Sequence, residues 1–530
     1  MTSRHFAFWP PGMPRNLPPV QTTLHAAFKE SARRTPDKIL LHFQGESLTY
    51  REALNQVEAL AAELQRTCGV KPGDRVLVDL QNSAHFVIAL YAVLRADAVV
   101  VPVSPANLMD ELAHYLADSD ARVAIVGQEV QMRFAGLPVE HLVVAGGKHW
   151  AAAIEGAKAP TPSSAKPGDL CMMPYTSGST GHPKGCMHTH AGILHNVLGS
   201  VLWKHVTPDT VALATAPFFH VTGLVHSLLA TVQAGGTMVI QQRWDPVLAA
   251  QLVERYRCSH WDNVPTMTID LLSNPEAMKH DVSSLKWMFG GGAAMPGAIA
   301  QKLRDTCGVD YIEGYGMTET ISQTHMNPPQ RPKQQCLGIP AFDTESYVID
   351  PESFKVLPPG ESGEIVVRGP QMLIGYWKKE AAYRESWVEV EGKLFFRTGD
   401  LGRMDEDGYY FMSDRLKRMI NAAGLKVWPA EVEAAMYQHP AIRECCIIAS
   451  PDERKGETVK AVVVLKPEAA GTNAESIIEW MRTRMAAYKV PRKIQFADAL
   501  PRTPSGKIQW RSLQEKEFMD AAVGPNNHAH

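Results

Sequence analysis

The sequence predicts an α/β protein: a large N-terminal domain of parallel-rich βαβ sheets with helices and a β subdomain, followed by a small α/β domain. Three observations lead there. Apolar strand-like runs alternate with amphipathic helical stretches through the N-terminal part of the chain. From about Tyr347 the texture changes to short strands separated by Gly and Pro, and past Lys417 a second, smaller α/β alternation begins. At 530 residues the chain also exceeds what one hydrophobic core usually supports.

After a Pro-rich lead, LHAAFKESARR and LTYREALNQVEALAAELQRT carry apolar residues at three- and four-residue spacing, the period of an amphipathic helix. KPGDRVLVDL, HFVIALYAVLRA and AVVVPVSP then read as strand, helix, strand, which implies a parallel sheet covered by helices. RVAIVG, HLVVAG, TVALATAP and GTMVIQQ repeat the buried-strand signature, with helical VLAAQLVERYR after the last. SYVID, GEIVVRG and GYYFMSD are the short strands of a β subdomain at about 340–416. Beyond it, PAEVEAAMYQH and SIIEWMRTRMA read as helices and ECCIIAS and VKAVVVLK as strands. The boundary falls between Arg415 and Arg418, giving domains 1–416 and 417–530.

Apolar residues make up 45% and charged residues 21% of the chain, and the net charge is only -3. A nucleic-acid or acidic-lipid surface needs a concentrated excess of Lys and Arg, so this balance points to small-molecule partners. Eight scattered cysteines with no CxxC pair suggest neither a zinc site nor a disulfide framework and fit a reducing cytoplasm. The longest apolar stretch, VIALYAVLRADAVVVPV, is broken by Arg95 and Asp97, so no membrane span is expected. Composition leaves a homodimer open.

The densest chemical signal is MMPYTSGSTGHPKGCMHTH, residues 172–190. A Gly, Ser and Thr run after a buried strand can turn backbone N–H groups and hydroxyls toward one point, and Lys184 adds a full positive charge. Phosphate suits that set, although an ordinary polar surface loop has the same composition. The familiar GxxxxGK[ST] loop is not met, because Gly185 follows Lys184.

YTSGSTGHPKG resembles the signature of the adenylate-forming superfamily, which includes acyl-CoA synthetases, aryl-CoA ligases, firefly luciferase and peptide-synthetase adenylation domains. The resemblance continues in order through LRADAVVVPVSP, APFFHVTG, GGGAAMP, EGYGMTE, GEIVVRGPQMLIGYW, FRTGD, SDRLKRMINAAGLKVWPAEVE and PRTPSGK. DRLK followed by PAEVE is most similar to the acyl- and aryl-CoA ligase branch. The resemblance implies the adenylate-forming fold with a mobile C-terminal domain, the substrates ATP, a carboxylic acid and CoA, and Mg²⁺. The acid is expected to be a medium- or long-chain fatty acid, with an aryl or cinnamate-type acid, or loading of a carrier protein, as alternatives. The chemistry explains the two substrates. A carboxylate would have to expel oxide to react with a thiol, whereas an acyl-AMP has a good leaving group.

On this resemblance Thr176, Ser177, Gly178, Ser179, Thr180, Gly181 and Lys184 cradle the β- and γ-phosphates. In EGYGMTE, Tyr315 stacks on adenine, Glu313 accepts from its amino group, Gly316 and Met317 flank the nucleotide, Thr318 reaches a phosphate and Glu319 offers Mg²⁺ a hard oxygen. That string alone would read as a helix start. Asp400 takes the ribose hydroxyls, with Arg415 as a second ribose contact. Lys507 matches the lysine that bridges carboxylate, α-phosphate and ribose, and Lys417 matches the hinge. After rotation Gly424, Leu425 and Lys426 would face the site, Gly424 admitting pantetheine and Lys426 meeting a CoA phosphate. Asn421 stands where luciferase and plant aryl-CoA ligases carry Lys. His220 falls between the carboxylate and thiol tunnels, although a lone His beside two Phe otherwise reads as core. Thr222, His226, Asn263, Gly291, Gly292, Ala293 and Ala294 resemble pocket-lining positions of an open, mainly apolar channel.

Overall fold

The structure, a computed structural model, describes residues 4–156, 158–176, 183–422, 425–452, 456–502 and 508–523, without the side chains of Lys417, Lys426 and 521–523. Backbone contacts divide the chain into two compact units, Met1–Ser346 with Val367–Phe396 and Glu406–Tyr410, and Tyr347–Val366 with Arg397–Asp405 and Phe411–His530.

The first unit holds two large sheets. One runs Ile339–Pro340, Ser322–Met326, Tyr311–Met317, Trp287–Gly291, His260–Asn263, Val211–Ala214, Thr237–Ile240, Ile39–Phe43, Glu46–Thr49. Its interior pairs are parallel and its outer pairs antiparallel. The other runs Gly375–Tyr376, Lys184–Thr189, Leu170–Met172, Val99–Pro102, Arg75–Asp79, Val123–Val126, His141–Val144, parallel from Leu170–Met172 onward. Inner apolar runs therefore become parallel strands buried on both faces, with Val99–Pro102 and Val123–Val126 buried throughout, while HLVVAG forms the mostly half-buried edge strand His141–Val144.

The helix Ala84–Arg95 is buried from Phe86 to Arg95, and so it sits inside the core rather than on its surface. It packs with Leu24–Arg34 and Tyr50–Arg66 in one cluster that includes Phe28, Tyr50 and Tyr91. Short polar residues fix where helices start. Thr49 and Glu52 form a capping box, Ser83 accepts from the Phe86 N–H, and Thr189 accepts from the Gly192 N–H. The first of these explains why the segment from Leu48 turns helical only at Tyr50.

In the second unit, parts of Ser362–Arg368, Lys393–Met404 and Tyr410–Arg415 precede a separate sheet. That sheet runs Leu425–Val427, Ile420–Ala422, Gly456–Leu465, Ile442–Asp452, with Lys493–Phe496 parallel to Gly456–Leu465. The helices Pro429–Met436 and Ala474–Arg482 cover it through Val432, Met436, Ile477 and Met481. All eight cysteines carry free thiols, and no helix among the described residues is long and apolar enough to cross a membrane.

Lys204, just past the helix His190–Trp203, is buried and ion-paired to the buried Asp262, and its backbone carbonyl meets the His260 ring 3.1 Å away. Removing one buried charge strands the other, at a cost of about 3 to 5 kcal/mol. Lys204→Met is therefore expected to lower the unfolding free energy read from urea titration by that margin, and Lys204→Met with Asp262→Leu to recover most of it.

Candidate active site

The phosphate-loop region begins as a hairpin. Tyr175–Thr176 pairs antiparallel with Lys184–Thr189, placing Thr176 opposite Lys184 and Tyr175 opposite Gly185. The two ends of the Gly, Ser and Thr run are therefore cross-strand neighbours, and Lys184 stands at its base. A Cβ on Gly185 would lie 2.9 Å from the Met173 side chain and 3.3 Å from the Tyr175 ring. That close approach gives a packing reason for Gly after Lys184, where the GxxxxGK[ST] pattern has Ser or Thr. Ser177, Gly178, Ser179, Thr180 and Gly181 lie outside the described residues.

Three neighbours converge on the turn Thr318–Thr320. The His188 Nε2 lies 2.8 Å from the Thr318 carbonyl oxygen, the Leu373 N–H donates to the Glu319 carbonyl at 2.8 Å, and the Tyr376 hydroxyl donates to Glu319 Oε1 at 3.0 Å. The Lys184 ammonium lies over the Tyr376 ring, 4.9 Å from its centroid. Lys184, Thr318 and Glu319, read from separate motifs, are thus joined through one strand and one tyrosine. EGYGMTE is a strand, Tyr311–Met317, running into a 3-10 turn, and not a helix start. Gly316 is required there, because a Cβ would lie 1.6 Å from the Ser322 carbonyl oxygen. Met317 is half-buried, and its N–H donates to the Thr320 hydroxyl at 3.1 Å.

Glu313 is buried. Its two carboxylate oxygens accept from the Met295 N–H at 2.9 Å and the Gln335 N–H at 2.7 Å. Burial pushes its carboxyl up, opposed by those backbone donors. Its visible work is to anchor the segment that follows Gly292, Ala293 and Ala294, which are exposed. Tyr315 is half-buried, its ring 5.8 Å from that of His325. Parallel pairing aligns Asn263, Gly290 and Glu313 across three strands and Gly291 with Gly314. A Cβ on Gly291 would lie 2.5 Å from the Gly314 carbonyl, so strand contact demands the small residue there.

His220 is half-buried, and its Nδ1 accepts from the Thr222 N–H at 3.4 Å. Thr222 opens a π-helical turn, Gly223–Leu229, that periodicity gave no sign of. His226 within it is buried, its Nδ1 2.9 Å from the Ser200 hydroxyl and its Nε2 2.8 Å from the Ser322 hydroxyl. Burial holds this imidazole well below its ordinary range. Asn263 is buried, accepts from the Thr268 hydroxyl at 3.1 Å, and its Nδ2 has no partner among the described residues.

In the second unit, Asp400 is buried and its Oδ1 lies 3.0 Å from the Arg415 Nε, which is half exposed. The two expected ribose contacts are thus joined to each other. Glu364, which the sequence reading did not single out, is buried and organises FRTGD: it accepts from Arg397 at 2.7 Å and from the Gly399 N–H at 3.1 Å. Asp414 accepts from the Arg415 N–H at 2.6 Å and the Ala430 N–H at 2.7 Å, tying DRLK to the start of the helix Pro429–Met436. Lys417 lies in the 3-10 turn Leu416–Arg418. Leu425 is exposed and pairs with Ala422, and Lys426 pairs with Asn421. Gly424 and Lys507 lie outside the described residues, Lys507 next to Ile508, which is bridged to Arg502.

Residues 28–377 match the AMP-binding enzyme family and residues 431–507 match the AMP-binding enzyme C-terminal domain. The chain belongs to this family. Within it, this AMP-binding enzyme is an acid–thiol ligase of the acyl-CoA ligase branch, a group that uses ATP and CoA. It is 33% identical to the long-chain-fatty-acid–CoA ligase of Bacillus subtilis (strain 168), over 96% of this chain and 97% of that one. It is 37% identical to the feruloyl-CoA synthase of Amycolatopsis sp., over 90% of this chain and 95% of that one. ATP-bound MatB from Rhodopseudomonas palustris superposes with a TM-score of 0.86 at 27% identity, covering 94% and 99% of the two chains.

His188 and Tyr376 were not singled out in the sequence. His188 directly precedes Thr189, the residue that caps the helix His190–Trp203, with nothing local to mark it, and its role follows only from sheet pairing. Its imidazole is held down to about 4 by burial, against the Thr318 carbonyl, and His190 likewise to about 4. In the unfolded chain these rings take up protons near pH 6.5, so between that pH and about 4 the native state binds fewer protons. Stability is therefore expected to be level above pH 7 and to fall as pH drops from 6.5 toward 4, with a shallower fall in His188→Asn, followed by denaturant midpoints across pH.

Proposed function

We propose that the enzyme is an ATP- and Mg²⁺-dependent acyl-CoA ligase that converts a carboxylic acid to acyl-AMP and pyrophosphate, then to acyl-CoA and AMP. What supports this reading most directly is the joining of Lys184 and Glu319 through Tyr376 at the base of the Thr176–Lys184 hairpin. It sets a positive and a negative group on the elements that flank a Gly, Ser and Thr loop. The ammonium and the loop donors suit the β- and γ-phosphates, where electrostatic stabilisation dominates the chemistry. Glu319 fits Mg²⁺ by its donor chemistry, a hard carboxylate oxygen alongside phosphate oxygens. Bound there, the ion would neutralise phosphate charge as pyrophosphate leaves.

Tyr315 and Glu313 with the Gly291–Ala294 segment would take adenine, and Asp400 with Arg415 the ribose. Lys507 would meet the carboxylate and α-phosphate during the first step. Rotation about Lys417 would then present Gly424, Leu425 and Lys426 for the thiol step, with domains 1–416 and 417–530 as the moving parts. His220, Thr222, His226 and Asn263 would line the acid's path.

The favoured acid is a medium- or long-chain fatty acid, in keeping with the Bacillus subtilis relative. A second reading, an aryl or cinnamate-type acid, is favoured by the feruloyl-CoA synthase relative and by the buried polar chain Ser200, His226, Ser322. A panel of fatty and hydroxycinnamic acids, scored by pyrophosphate release with and without CoA, separates the two. The expected products are pyrophosphate and AMP, and ADP would reject the assignment. A thioester formed only with a carrier protein would instead support acyl-AMP ligation to a carrier. Lys507→Ala is expected to slow acyl-AMP formation by about 10² to 10³-fold while ATP still binds, as measured by pyrophosphate release and calorimetry.

A further inference from the structure

Tyr376 lies on the two-residue strand Gly375–Tyr376, antiparallel to Lys184–Thr189, with Gly375 opposite Met187 and Tyr376 opposite Cys186. Its backbone is fixed on both sides: the Ile374 N–H donates to the Met187 carbonyl at 2.9 Å and the Trp377 N–H to the Gly185 carbonyl at 2.9 Å. The Trp377 indole N–H donates to the Asp118 carbonyl at 2.8 Å, anchoring the next residue as well. The ring is 6% exposed and so has little freedom to leave its place. From that place it touches both charged groups of the phosphate end. Its face lies beneath the Lys184 ammonium, and its hydroxyl donates to Glu319 Oε1.

The turn carrying Glu319 is held at two backbone carbonyls, Thr318 from His188 and Glu319 from Leu373. Those bonds fix where the side chain begins. The Tyr376 hydroxyl then holds one carboxylate oxygen of the head group. In that bond the phenol O–H is the donor, since a carboxylate oxygen only accepts.

We infer that Tyr376 is a positioning residue that aims the Glu319 carboxylate at the metal of a metal–ATP complex while its ring holds the Lys184 ammonium beside the phosphates. The inference rests on the reading of Glu319 as the metal-facing carboxylate. Partners that orient a metal ligand typically matter by 10 to 100-fold in metal affinity or activity. Removal of the hydroxyl alone should therefore act on the metal-dependent part of ATP binding, and removal of the ring should also act on the part that needs no metal.

The test is calorimetric titration of the full chain with ATP, once with excess Mg²⁺ and once with EDTA. The quantity read is the ratio of the two affinities, which a partly unfolded sample does not change. For Tyr376→Phe the ratio is expected to fall by about tenfold, with the EDTA affinity close to that of the parent chain. For Tyr376→Leu the EDTA affinity is expected to fall as well. Glu319→Gln is the reference and should abolish most of the Mg²⁺ gain. A parent-like ratio in Tyr376→Phe, with the gain lost in Glu319→Gln, overturns the role of Tyr376 alone. A parent-like ratio in Glu319→Gln overturns the metal reading of Glu319 and this inference with it.

Discussion

The phosphate end of the first unit depends on the backbone pairing of one strand, Lys184–Thr189. It is bound to Tyr175–Thr176 at its start, to Leu170–Met172 on one edge and to Gly375–Tyr376 on the other. Each pairing fixes a different piece of chemistry. The first closes the base of the loop and sets Thr176 across from Lys184. The second joins the strand to the parallel sheet, and the third brings Tyr376 to Lys184 and Glu319. Side chains on a strand alternate between faces, so a slip of one residue would exchange Lys184, Cys186 and His188 for the residues between them. Gly185 guards the register, since Met173 and Tyr175 leave no room for a side chain there.

The second consequence of that pairing is a site whose charged groups are held by neighbours that are themselves buried. Glu319 is held by Tyr376, the Thr318 carbonyl by His188, and the exposed glycine and alanine run by way of Met295 and the buried Glu313. In the second unit the same economy recurs, with Glu364 organising Arg397 and Gly399 while Asp400 meets Arg415. Buried polar groups of this kind tolerate little change, because loss of one partner leaves the other unsatisfied in a low-dielectric interior.

Most of the fold was legible in the sequence, for physical reasons that can be named. RVAIVG and GTMVIQQ read as buried strands because parallel strands are apolar on both faces, and they form Val123–Val126 and Thr237–Ile240. The helix in HFVIALYAVLRA was legible from its length and apolar character, and Ser83 marks its start. Two features were not. The π-helical turn Gly223–Leu229 differs from an α-helix by one hydrogen-bond step, which no apolar period records, and in EGYGMTE pairing with Ser322–Met326 holds the residues up to Met317 in a strand and leaves Thr318 and Glu319 a single 3-10 turn.

The sequence by itself determined the chemistry on offer: a Gly, Ser and Thr loop with Lys184, a Glu319 suited to a hard cation, an Asp400 and Arg415 in separate motifs, and Lys507 in a Gly-bearing tail. Those are local facts of residue type and spacing. Only the tertiary structure decided which of these groups touch. Arg415 reaches Asp400, Glu313 is engaged by Met295 and Gln335, and Tyr376, distant in the chain from both, stands between Lys184 and Glu319. Strand pairing makes those contacts, and pairing between remote segments is set by the packing of the whole sheet, which no short stretch of sequence contains.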